Sequence, residues 1–262
     1  IELENKLSKR FSVKHTICMA NETIALMIAY KALGAKGKII CPAFAPREVI
    51  EALNWTGYEP VYVALDKNSL EMDISQMKSL ITDDVTAVLG VHLWGNHNCS
   101  EIQKVARENN LTVLVYDTHS LGLHLSNNEK WDVGDLAIYS FHETELINAG
   151  EGGCICTNDD ALAAKIRNMR SSYGAGFSVP IPLTGNGRMS EAQAAIALQC
   201  LSNLPTIQQR NSEVFRSYTE FLQKIPGIEI FQFKSHQHVI IQVREEYSIN
   251  REELEQLLNR NN

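Results

Sequence analysis

Short apolar runs alternate with amphipathic stretches over most of this chain. The runs at 38–44 (KIICPAF), 60–66 (PVYVALD), 85–92 (VTAVLGVH), 111–117 (LTVLVYD), 135–142 (DLAIYSFH) and 152–159 (GGCICTND) are rich in Val, Ile and Leu. Several are almost continuously apolar, the pattern of strands covered on both faces. Between them, helical periodicity covers roughly 22–34, 46–57, 73–81, 99–110 and 159–171. The alternation predicts an α/β fold, a mainly parallel sheet with helices on both faces and right-handed crossovers. Beyond Gly187 the texture changes. Residues 188–204 and 207–225 predict two long helices, 228–233 and 238–243 two strands, and 250–260 a last helix. The expected organisation is a large α/β domain over 1–187, then a helical connection and a small α+β C-terminal domain over 188–262 that stops early.

Composition narrows the possibilities. The 262 residues are 44% hydrophobic and 21% charged, as in an ordinary globular protein with a substantial core. A net charge of −7 argues against broad nucleic-acid binding. No apolar run approaches the ~20 residues of a membrane helix and no signal-peptide pattern opens the chain, so a cytoplasmic protein is expected. The six cysteines lack framework spacing and read as reduced core residues. Cys154 and Cys156 share one face of a strand without companion ligands nearby, so no metal site is expected. The three Asn-x-Ser/Thr tripeptides, without a secretory signal, read as chance.

Ligands of open α/β sheets bind beyond the carboxyl ends of the strands, and the candidate chemistry lies there. Asn21-Glu22-Thr23 opens a helix whose free N–H groups suit a phosphate, although locally Asn21 or Thr23 reads better as a cap. Asp117 ends one strand, where it suits a ring nitrogen or starts a turn. His119 and His142 flank the same edge, each readable as a general base or as a half-buried histidine. No dinucleotide fingerprint or P-loop follows a strand.

Taken in order, N-E-T-I-A-L, I-I-C-P-A-F, G-Y-E-P-V-Y-V-A-L-D, V-H-L-W-G, V-Y-D-T-H-S-L-G, S-F-H-E-T-E, G-E-G-G-C-I-C-T-N-D and G-N-G-R-M-S-E-A-Q-A-A resemble the markers of the DegT/DnrJ/StrS-type sugar aminotransferases over residues 16–200. The resemblance implies the fold type I architecture of pyridoxal-phosphate enzymes and a homodimer with active sites at the subunit interface. It also implies ancestry in transamination of nucleotide-linked keto sugars. By the same resemblance, Thr23 and the backbone around Glu22 face the cofactor phosphate, Ser140 adds a hydroxyl, and Asn186 reaches that phosphate from the partner subunit. Asp117 holds the pyridine nitrogen protonated. The residue against the ring is His119 or Ser120, depending on whether a one-residue gap is allowed.

The departures from the family pattern converge on the reactive end. The family has S-F-H-x-T-K, and its Lys forms the Schiff base; this chain has Glu145, with no Lys between Lys130 and Lys165. Pro46 stands where the family carries a stacking aromatic, leaving Phe44 as the nearest one. Glu22 replaces a phosphate-loop Gly, and two negative charges a few ångströms apart cost on the order of a kcal/mol or more. The expectation is a degenerate nucleotide-sugar aminotransferase relative, without normal transaminase activity, linked to amino- or deoxy-sugar (cell-surface polysaccharide) biosynthesis. Pyridoxal or pyridoxamine 5′-phosphate, if bound, is held non-covalently. One alternative is a lysine-free enzyme in which Glu145 or His142 moves a proton on a nucleotide keto sugar. The other is an ordinary aminotransferase carrying a Lys-to-Glu change.

Overall fold

A computed structural model describes residues 1–34, 37–67, 69–95, 99–123, 134–171, 185–245, 247 and 249–260. The chain opens with α1 (Glu2–Phe11) and β1 (His15–Met19), two elements the hydrophobic pattern did not mark. In α1, Leu3, Leu7 and Phe11 recur every fourth residue and are all buried. Then follow α2 (Glu22–Ala32), β2 (Lys38–Pro42), α3 (Arg47–Thr56), β3 (Glu59–Val63), α4 (Ile74–Ser79), β4 (Val85–Val91), α5 (Cys99–Glu108) and β5 (Thr112–Tyr116). A 3-10 turn at Thr118–Ser120 precedes β6 (Leu136–Ser140), β7 (Gly153–Thr157) and α6 (Asp160–Arg170). The chain ends with α7 (Glu191–Leu222), the short strands β8 (Ile228–Ile230) and β9 (Ile241–Val243), and α8 (Arg251–Arg260).

Among the described residues seven strands form one sheet in the order β1-β7-β6-β5-β4-β2-β3. The five from β3 to β6 run parallel, as the alternation predicted. β7 is antiparallel to β6, and β1 is antiparallel to β7. Strand β6 shows why its run reads as apolar throughout: every residue is buried, with Ala137 and Tyr139 in one hydrophobic cluster and Leu136 and Ile138 in the other. Helices α1, α4, α5 and α7 cover the first face and α2, α3 and α6 the second. No helix among the described residues is long and apolar enough to cross a membrane.

Two expectations need correction. The stretch predicted as two helices is one helix of 32 residues that runs through Pro205. Proline removes one N–H and crowds the preceding turn, which is why the sequence reads as broken there. Tertiary contacts carry the helix past it: Ala197, Leu201 and Leu204 are buried before the proline, and Gln208, one turn after, donates to Gly122 O at 2.8 Å. The two predicted C-terminal strands shrink to three residues each, because most of the chain between them turns away to the carboxyl edge of the main sheet.

The N-terminal helix is tied to the sheet by a buried charge. Glu4, 8% exposed, accepts from Cys18 N at 2.9 Å, from Arg170 at 2.6 Å and from Arg167 at 3.2 Å. Burial pushes its carboxyl up, but the Arg170 guanidinium, the Cys18 N–H and Arg167 outweigh burial and leave it below the ordinary 4.5. A carboxyl depressed by folding stabilises above its unfolded value, and that contribution disappears as pH falls through the folded one. Arg170→Ala, which strands Glu4, is expected to cost about 3 kcal/mol in urea unfolding at pH 7. The cost should shrink below the ordinary carboxyl value as Glu4 protonates; a constant cost down to low pH would assign it to lost packing alone.

Candidate functional site

Because β4, β5 and β6 are parallel, their carboxyl ends open on one edge of the sheet. Asp117 follows β5 and is fully buried. Its N–H donates to Ile138 O at 3.1 Å, and its Oδ1 accepts from His92 Nδ1 at 2.9 Å. The Tyr139 hydroxyl lies 3.5 Å from its other oxygen. His92, just after β4, is itself fixed by its N–H to Tyr116 O at 2.9 Å. Ser140, the buried last residue of β6, donates its N–H to Thr118 Oγ1 at 3.0 Å, and its Oγ accepts from the His142 N–H at 3.3 Å.

The turn after β6 is closed by Glu145 N–H to His142 O at 3.0 Å and aims the Glu145 side chain into this edge. Glu145 Oε2 accepts from Gln237 Nε2 at 2.8 Å, and its Oε1 lies 3.9 Å from His119 Nε2, too long for a hydrogen bond. Burial pushes this carboxyl up to about 7; the Gln237 bond opposes that and the nearby Glu22 adds to it, with His142 and Glu48 also facing it. His119 Nδ1 accepts from the Trp94 N–H at 3.1 Å, which places the imidazole proton on Nε2, towards Glu145. Burial and then the neighbouring His238 push His119 down to about 4, against the pull of Asp117. A neutral imidazole N–H therefore faces a carboxyl pushed up towards neutrality, an arrangement in which Glu145 can exchange a proton with a ligand beside the pair.

The N-terminus of α2 enters the same edge. Asn21 caps it, accepting from Ile24 N at 2.9 Å. Gly153 permits the approach, since a Cβ there would lie 2.8 Å from Tyr139 O and 3.3 Å from Glu22 Cα. Burial pushes the Glu22 carboxyl up against the pull of the Ser140 and Tyr116 hydroxyls, and its Oε1 is buried without a hydrogen-bond partner. A protonated Glu22 donates to a phosphate oxygen where an ionised one repels it. Buried Asp117, aligned by His92, suits a ring nitrogen, and Ser140 and the α2 N-terminus suit a phosphate. On those terms the residues fit a phosphorylated pyridine. Among the described residues no group of three or more His, Cys, Asp or Glu is placed to hold a metal ion.

The structure thus brings together Glu22, Asp117, His119, Ser140, His142 and Glu145. His142 is partly buried, and its Nδ1 lies 3.0 Å from Thr144 Oγ1. Phe44 sits further out, 55% exposed and tilted against Trp94 at 5.9 Å between centroids. Thr23 is exposed on the first turn of α2. Asn186 is exposed and forms an isolated bridge with Ser171. Of the two ring candidates, His119 faces Glu145, whereas Ser120 is buried with its Oγ lacking a partner. Sequence reasoning missed His92, Gln237 and His238 as parts of this site. The signal for the last two is faint: the polar run SHQH interrupting an otherwise strand-like stretch.

The model of the DegT/DnrJ/EryC1/StrS aminotransferase family matches residues 1–262. Curated relatives include a dTDP-4-amino-4,6-dideoxy-D-glucose transaminase of Shigella dysenteriae, 30% identical over 97% of this chain and 71% of the relative. A GDP-perosamine synthase of Caulobacter vibrioides is 32% identical over 86% of this chain and 62% of its own length. The chain spans 62% to 72% of the first curated relatives it matches. Among solved structures, DesI in the presence of its TDP-sugar product gives a TM-score of 0.91 at 30% identity, covering 98% of this chain and 68% of that one. The Helicobacter pylori aminotransferase PseC, at 24% identity and a TM-score of 0.87 over 99% of this chain and 74% of that one, shares the fold.

Glu145 gives the site a measurable sign. A carboxyl raised by folding contributes most below its unfolded value and loses that contribution as pH rises towards the folded one, here from 4.5 to about 7. Glu145→Gln keeps the acceptor for Gln237 and removes the charge. Its stability relative to the native chain should climb over that window by on the order of 3 kcal/mol and then level off. A difference that does not vary with pH would show that Glu145 stays ionised and hydrated.

Proposed function

Because the chain belongs to the DegT/DnrJ/EryC1/StrS aminotransferase family, we propose that it acts in amino- or deoxy-sugar metabolism as a nucleotide-sugar-binding member without ordinary amino transfer. The observation that carries this reading is Glu145. Its carboxyl lies in the turn after β6, bonded by Gln237 and facing His119, where the family pattern S-F-H-x-T-K puts the lysine that joins the cofactor. A carboxyl forms no imine, so no covalent attachment is available there. The relatives named for dTDP- and GDP-linked amino sugars support a nucleotide sugar as the ligand.

Pyridoxal or pyridoxamine 5′-phosphate would be held without a covalent link. Asp117 would take the pyridine nitrogen and His119 would lie against the ring. Ser140, Thr23 and the backbone around Glu22 would take the phosphate, with Asn186 completing it from a second subunit of a homodimer. When bound, such a group supplies an electron sink for a substrate carbon. The chain's own part is to orient that ring through Asp117 and His92 and to exclude water.

A second reading is favoured by the near-neutral Glu145. In a lysine-free enzyme acting on a nucleotide keto sugar, Glu145 would remove or return a proton at the sugar carbon, with the His119 Nε2–H next to it or His142 as its partner. The deciding experiment is absorbance after incubation with the aldehyde or the amine form of the cofactor and desalting, repeated on Glu145→Lys, with amino transfer from L-glutamate assayed in parallel. The first reading expects no amino transfer by the native chain. Retention of the amine form, with turnover of a keto sugar, would favour the second. Amino transfer by the native chain would overturn both, whereas a visible band and activity gained only by Glu145→Lys would show an ordinary site altered at one position.

A further inference from the structure

The segment between β8 and β9 reaches back across the main sheet. Phe233 stacks on Trp94 at 5.7 Å between centroids. Buried Ser235 packs on Gly95, whose φ of +79° and bare Cα leave room for it. His236 Nδ1 lies 2.9 Å from Ser212 Oγ on α7, and its ring stacks on Phe215 at 4.4 Å. These anchors hold the segment immediately before Gln237.

The Gln237 carboxamide is fixed at one end and unfilled at the other. Its Nε2 donates to Glu145 Oε2 at 2.8 Å and to Thr144 O at 3.2 Å. A backbone carbonyl and a carboxyl oxygen both suit an amino group, so that end is the nitrogen and Oε1 is turned away from them. Gln237 Oε1 is buried with no hydrogen-bond partner, and so is Nδ1 of the adjacent His238, whose ring lies 4.6 Å from that of His119. Buried acceptors left open cost stability and are uncommon unless something fills them. The fixed amide thus leaves one acceptor unused beside Glu145.

We infer that Gln237 is a ligand-contact residue: its amide nitrogen holds Glu145 in place while its Oε1 accepts a hydrogen bond from a hydroxyl of a sugar ring bound against Glu145. This rests on the nucleotide-sugar reading proposed above. A neutral amide oxygen suits a neutral hydroxyl, and the stacked rings of Phe233 on this segment and Trp94 after β4 offer an apolar face for the C–H side of a sugar.

The test is calorimetric binding of dTDP-4-amino-4,6-dideoxy-D-glucose and GDP-perosamine, each against dTDP or GDP alone, by the native chain, Gln237→Met and Gln237→Asn. Gln237→Met should weaken the better sugar nucleotide at least tenfold and leave the bare nucleotide within about twofold. Gln237→Asn, which withdraws the amide by one methylene, should fall in the same order should Gln237→Met fail to fold. Equal losses on both ligands, or none, would overturn the inference. A native chain that binds bare and sugar-linked nucleotides equally would overturn it too while leaving the nucleotide part of the proposed function intact. A native chain that binds neither would overturn that function, and the sugar contact with it.

The nitrogen leg is read separately by infrared titration of the Glu145 carboxyl, identified by its absence in Glu145→Gln. With Glu22, His119, His142 and Glu48 unchanged around it, Gln237→Met should move the midpoint upward. A static midpoint would show that Gln237 only packs.

Discussion

Three carboxyl groups, those of Asp117, Glu22 and Glu145, lie on one poorly hydrated edge of the sheet, and the cost of burying their charge shapes the rest of the site. Charges of one sign a few ångströms apart in such surroundings cost several kcal/mol, about 4 at an intermediate dielectric. The chain relieves this in two ways. Asp117 is held by His92 and approached by the Tyr139 hydroxyl. Glu22 and Glu145 are pushed towards their neutral acids, chiefly by burial. The imidazole between Asp117 and Glu145 is itself kept uncharged, so proton placement matters more here than fixed charge.

That edge holds its shape because one helix touches the loops that form it. Along α7, Gln193 donates to Ala20 O at 3.0 Å and to Glu151 O at 2.9 Å, and Cys200 Sγ reaches Asn148 O at 3.2 Å. Further on, Gln208 bonds Gly122 O and Ser212 meets His236. The loops before α2, after β5 and around the turn after β6 are thus tied to a single rod, together with the segment that carries Gln237. Side chains from sequence positions more than a hundred residues apart keep one geometry by this means. Pro205 lies among these anchors without dividing them.

The parallel core was legible because each of its strands is a compact apolar run, and Asp117, His119 and His142 followed from the strand ends, whereas Ser140 and Glu145 followed from the resemblance to the family pattern. β1 was not legible. His-Thr-Ile-Cys-Met is only five residues long and mixes polar with apolar, and its pairing with β7 joins positions about 140 residues apart. Gln237 stayed hidden for a related reason. A polar interruption between two apolar runs reads as a turn, and nothing local says that it lands 92 positions back on Glu145. Sequence reasoning also placed Phe44 in the site; its ring is half-exposed and tilted against Trp94, whose N–H bonds His119. Local patterns record which side chains seek burial; they do not record where a long excursion returns.

The far side of the sheet ends in β3, which has no neighbouring strand beyond it among the described residues. Glu59 N–H donates to Gly37 O and Val63 O accepts from Ala43 N, so the odd-numbered residues of β3 turn their backbone groups inward. Alternation then points Pro60 and Tyr62 outward. Proline has no N–H to offer, so the open edge lacks a rung where an added strand would begin to zip. With the carboxylate of Glu59 exposed beside it, this margin resists edge-to-edge aggregation. The half-exposed Tyr62 edge is therefore a poor template for an added strand.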